Sequence, residues 1–67
     1  MDLKAFISVL TYSSLVHIYD KDKFGHKTFF VGTAESARGS IPKIDLHSRK
    51  VDYARVADDY LFIFVHS

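Results

Sequence analysis

The side chains with chemistry to offer are concentrated between Arg38 and Arg55. Arg38, Lys43, Arg49, Lys50 and Arg55, joined by His47, outnumber the two acids of that stretch, Asp45 and Asp52, so the stretch is locally basic. Arg38-Gly39-Ser40 with Lys43 close behind combines a guanidinium, a permissive glycine and a hydroxyl, a grouping that suits a phosphate. Together with a ring able to stack on a base, this defines a candidate ligand or anion site of Arg38, Ser40, Lys43, His47, Arg49, Lys50 and Tyr53. Its ligand would be a nucleotide or a nucleic-acid backbone. His47, Arg49, Lys50 and Tyr53 also include the general base and the cations that a small ribonuclease needs. No spacing fixes them in those roles, and a solvated basic face is the plainer reading.

Other chemistries find less support. Asp20-Lys21-Asp22-Lys23-Phe24-Gly25 begins like a calcium-binding loop, but Phe24 stands where an oxygen ligand belongs and Val31 where a bidentate Glu is needed. It reads as a hairpin turn. His17, His26, His47 and His66 form no pair at helical spacing. There is no Cys, so neither a disulfide nor a thiolate zinc site is available. No Ser-His-Asp arrangement or glycine-rich phosphate loop is present. The expectation is a binding module without cofactor or metal, not an enzyme.

The elements that must position these residues follow from periodicity. Leu3, Phe6, Ile7 and Leu10 form one helical stripe, with Asp2 as N-cap and an end near Leu10 or Thr11. Leu15 to Tyr19 reads as a strand, Asp20 to His26 as a turn and Lys27 to Thr33 as a second strand, which makes a hairpin. Thr33 caps a short helical turn over Ala34 to Arg38 that Gly39 ends. Ile41 to Leu46 follows no clear period. Lys50 to Val56 alternates weakly, Ala57-Asp58-Asp59 is a turn, and Tyr60 to Val65 is the strongest strand signal. The fold class expected is α+β, with an N-terminal helix packed on a small antiparallel sheet of three to four strands that includes a β-hairpin.

A chain of 67 residues, 48% hydrophobic and 25% charged, holds one folded domain (1–67) with little stability to spare. Small domains usually recruit a disulfide, a metal or a second subunit. With the first two lacking, a homo-oligomer is expected. The net charge of +1 suits neither a DNA mimic nor a nonspecific nucleic-acid binder. Met1-Asp2-Leu3-Lys4 opens into an amphipathic segment, unlike a signal peptide, and no apolar run nears the roughly 18 residues that span a bilayer. A cytoplasmic location with no membrane partner is the expectation.

The last strand points to where an oligomer would form. Leu61, Ile63 and Val65 lie on one face, and Tyr60, Phe62 and Phe64 on the other. One short helix covers a single face, leaving an apolar surplus that marks an interaction surface unless Arg38 to Arg49 folds over it. Tyr60, Phe62 and Phe64, with Tyr19 and Phe30 as neighbours, form the expected interface.

The order of these signals resembles a group of very short proteins encoded by phages and prophages of Gram-positive bacteria. The matching pieces are the helix Leu3 to Leu10, Val16-His17-Ile18-Tyr19-Asp20, Phe30-Val31-Gly32-Thr33-Ala34, Pro42, and Asp58-Asp59-Tyr60-Leu61 to Val65. The likeness is loose from Lys43 to Ala57, the basic part. The resemblance implies an accessory protein of an infected bacterial cytoplasm, acting as a stoichiometric inhibitor of a host or anti-phage defence protein. The alternative is a sponge that sequesters a nucleotide second messenger. Nucleic-acid binding or a small ribonuclease stand behind both.

Overall fold

The computed structural model describes Met1–Ser67 throughout. The order of elements is α1 (Leu3–Ser8), β1 (Leu15–Asp22), β2 (Gly25–Thr33), α2 (Ala34–Ser40), α3 (Lys43–Ser48), β3 (Lys50–Ala57) and β4 (Tyr60–His66). They make an α+β fold in which three short helices lie on one side of a four-stranded sheet.

The two hairpins do not sit side by side. Strand order is β2-β1-β4-β3, with β1 antiparallel to β2, β4 antiparallel to β3, and the central pair β1 and β4 parallel. The sheet is therefore mixed rather than wholly antiparallel. A parallel pair needs a long crossover. Here the chain leaves β2 at one edge, runs through α2 and α3, and enters β3 at the opposite edge. That passage covers one face of the sheet.

Under it lies the core. Leu3 and Ile7 of α1, Ala34 and Ala37 of α2, Ile41, and Leu46 of α3 are buried against Val16 and Ile18 of β1 and Ile63 and Val65 of β4. The alternating burial of β1 and β4 reflects the two-residue period of a strand with one face covered. The aliphatic half of the last strand faces inward, as its pattern predicts.

Local chemistry explains the differences from expectation. The hairpin turn is tighter, because β1 runs on to Asp22 and β2 starts at Gly25. Asp22 Oδ1 accepts the Phe24 N–H at 2.8 Å, and Gly25 takes φ +115°. Helix α1 is shorter: it stops at Ser8, and Arg38 Nη2 donates to the carbonyls of Ile7 and Leu10 at 3.1 and 3.0 Å. Gly39 lies inside α2 rather than ending it; Ile41 is the C-cap. Pro42 then begins α3, whose backbone at Arg49 accepts the Leu3 N–H at 2.9 Å.

Candidate functional site: an open aromatic sheet face

The face of the sheet turned away from the helices has nothing over it. Helices α2 and α3, which hold the segment that could have folded across it, pack on the core side instead. Strand register arranges the open face in four rows, each named from β3 through β4 and β1 to β2. The first is Ala57, Tyr60, Leu15 and Thr33. Next comes Arg55, Phe62, His17 and Val31, then Tyr53, Phe64, Tyr19 and Thr28, and last Lys50, His66, Lys21 and His26.

The middle rows are built from rings that stack on one another. Tyr53 and Phe64 have centroids 4.5 Å apart at 15°, Phe64 and Tyr19 are 5.3 Å apart at 13°, and Tyr19 and His17 are 4.3 Å apart at 16°. Phe62 packs beside His17, and the rings of Tyr60 and His26 approach edge-on to His17 and Phe64. His17 Nε2 is hydrogen-bonded to Thr28 Oγ1 at 3.1 Å, which fixes its ring. At such separations near-parallel rings must stand face to face, so their π-faces are turned inward. What meets solvent is a wall of ring edges, the electropositive part of an aromatic ring. Tyr53, 54% exposed at the sheet margin, retains one free face.

Charge reinforces this polarity. The last row brings a basic residue from each of the four strands to one end of the face, and Arg55 adds a cation at the side. The acid nearby is Asp52, whose Oδ1 lies 2.6 Å from His66 Nδ1. Of the expected interface residues, Tyr19, Tyr60, Phe62 and Phe64 share this face. Phe30 does not. A β-bulge shifts the pairing between Ile18 and Tyr19, so Phe30 pairs with Ile18 and packs on the core with Phe29. His17, Lys21, His26 and Arg55 are additions to the site. The alternation of β1 already carried His17 and Lys21, one and three positions from buried Ile18.

The seven residues of the expected anion site do not converge. Lys50 and Tyr53 belong to the open face. Arg49 is on the other side of the sheet, with Nη1 at 3.3 Å from Asp20 Oδ2, Nη2 at 3.7 Å from Asp45 Oδ1, and its guanidinium 5.2 Å from the Phe29 ring. His47 Nδ1 is 3.9 Å from Asp2 Oδ2, and Ser40 is exposed at the end of α2. Asp2 itself caps α1 by accepting the Ala5 N–H at 2.7 Å. That bond, against some desolvation and helped by the charges of His47 and Lys50, holds its carboxyl below the ordinary value of 3.8. Arg38 and Lys43 meet Lys4, Ile7, Ser8 and Leu46 around a pocket of about 180 Å³. The basic stretch is thus shared among both faces and the helical layer, because its residues fall on a helix, a cap and a strand.

No three His, Cys, Asp or Glu side chains gather into a metal-holding group, and no helix is long and apolar enough to cross a membrane. Comparison with protein-family models, curated proteins and solved structures finds no match to this chain.

Proposed function

We propose that this chain is a small accessory protein of the phage or prophage type that works by stoichiometric protein association, inhibiting a host or anti-phage defence protein in the bacterial cytoplasm. The observation that carries the reading is the open aromatic face. A sheet with five aromatic side chains on one uncovered surface is apolar area that a protein partner would remove from water, and aromatic clusters supply much of the energy of such interfaces. The ring geometry favours a protein over a nucleic acid. Bases stack on exposed π-faces, and here Phe64 and Tyr19 are sandwiched by neighbours.

The test uses the tagged chain as bait in extract from a Gram-positive bacterium, with Phe62→Asp and Lys43→Ala as paired variants. The expected result is capture of one protein at fixed stoichiometry by wild type and Lys43→Ala, lost in Phe62→Asp. Equal capture by all three, or none by wild type, would overturn the reading. The nucleotide sponge draws on the pocket bordered by Lys4, Arg38 and Lys43. At about 180 Å³ it falls below the roughly 300 Å³ from which ordinary ligand sites start. Saturable nucleotide binding that vanishes in Lys43→Ala would move the sponge ahead.

A further inference from the structure

We infer that the open face is covered by a second copy of this chain, in a two-fold dimer whose axis lies in the interface and runs across the strands. The inference rests on the association reading above: a second copy holds the face in the free protein, and a host protein captured there must displace it.

Three observations lead to it. The first is incompleteness. The core is one-sided, with its buried apolar residues between helices and sheet, while the rings on the other face of the same central strands are only half-buried, by one another. The second is size. The molecule measures 31 × 27 × 18 Å, the proportions of a two-layer slab whose thickness is the short dimension. A broad face of that size is on the order of the 800 Å² that each partner contributes to a stable interface.

The third observation selects the orientation. A two-fold axis along the strands would set each row against itself. The Lys50, His66, Lys21 and His26 row would then meet its own copy with strand order reversed, Lys50 over the partner's His26 and Lys21 over the partner's His66, gathering the lysines of both copies into one drying strip, where like charges repel. An axis across the strands reverses the rows and keeps each strand opposite its own copy. The basic row then lies over the uncharged row of Ala57, Tyr60, Leu15 and Thr33.

In that register the two middle rows meet, and Arg55 and Tyr53 supply the complementary contact. Arg55 meets the partner's Tyr53, which has the free π-face a guanidinium prefers. Phe62 meets the partner's Phe64, and His17 the partner's Tyr19. Each contact occurs twice by symmetry. The basic rows emerge at opposite ends of the dimer.

The experiment is sedimentation equilibrium on wild type, Phe62→Asp, Arg55→Glu and Lys21→Glu, with circular dichroism to establish folding. Wild type is expected to be a dimer. Phe62→Asp should be a monomer. Arg55 is at the exposed margin, so Arg55→Glu should fold normally and dimerise more weakly, by about tenfold per contact and about a hundredfold for the symmetric pair. Lys21→Glu should change the dissociation constant less than about threefold, since Lys21 faces no charge in this register. A dimer tightened by Lys21→Glu and indifferent to Arg55→Glu would overturn the register. A monomeric wild type would overturn the dimer. If that monomer still captured a bacterial protein in a Phe62-dependent way, the proposed function would stand without it.

Discussion

Arg49 joins helix to sheet, and removing its charge is the sharpest test of how this small fold is held. Its guanidinium reaches Asp20 at 3.3 Å and Asp45 at 3.7 Å, and the side chains of Arg49 and Asp20 are only 21% and 10% exposed. Asp20 Oδ1 and Arg49 Nε are buried without a hydrogen-bond partner. In Arg49→Met the aliphatic reach survives, but Asp20 is left as a carboxylate beside Ile18 and Val65 with no cation. Breaking a buried pair on one side costs about 3–5 kcal/mol. The contact to Asp45, longer and more exposed, adds at most about 1 kcal/mol. Because Arg49 keeps some contact with water, the low end applies, about 3 kcal/mol. A domain of 67 residues has roughly 3–10 kcal/mol in total, so the variant should be close to unfolding. Replacing both partners, Asp20→Leu with Arg49→Met, removes the stranded charge and should return stability to within about 1 kcal/mol of wild type. Urea titration followed by circular dichroism and tyrosine fluorescence measures all three, since the chain has no Trp. An Arg49→Met protein within about 0.5 kcal/mol of wild type, or a double variant no better than the single, would refute the reasoning.

Three further outcomes are expected. Gly32→Ala would place a Cβ 3.1 Å from Phe30 Cζ and 3.2 Å from Cε2; displacing that core-packed ring should cost roughly 1–3 kcal/mol by thermal melting. Gly39→Ala, in α2 with nothing within 4 Å of the added carbon, should instead stabilise by about 0.5–1 kcal/mol. Asp2→Ala should lower the melting temperature at neutral pH and Asp2→Asn much less, because Asn still accepts the Ala5 N–H. The folded Asp2 carboxyl lies below its unfolded value, so its charge-dependent contribution is complete at neutral pH and fades as pH falls below 3.8 through the folded value. Wild type and Asp2→Asn should converge in acid.

Local patterns were legible in the sequence, and arrangements between distant segments were not. The stripe of Leu3 and Ile7, the hairpin over Leu15 to Thr33 and the two-faced strand from Tyr60 all follow from side-chain period. The open aromatic face follows from Tyr60, Phe62 and Phe64 once the other side is known to be covered. Unbroken alternation puts Phe30 on the open face; the bulge inverts it, and no residue type announces a bulge. The helix at Lys43–Ser48 buries Leu46 alone and leaves Ile44 exposed, so no apolar stripe marks it, and it is held by Leu46 packing and by Arg49. The basic stretch is one cluster in sequence and several places in space. Pro42 and the start of β3 turn its residues in different directions.

The parallel contact between β1 and β4 also sets the order of assembly on the ribosome. Helix α1 and the β1–β2 hairpin are synthesised first and can pair at once, yet the inner edge of β1 waits for a strand some forty residues later. When β3 emerges it has no strand to pair with beyond a bridge from Asp2 to Lys50, because β4 stands between it and β1 in the finished sheet. Every core contact of Ile63 and Val65 therefore forms after the rest of the domain has been translated, which favours late and cooperative folding over growth strand by strand. During that interval the unpaired edge of β1 and its Tyr19 ring are open to other nascent chains. Lys21 and His17, on either side of Tyr19 on the same face, are the residues that limit mispairing at that edge.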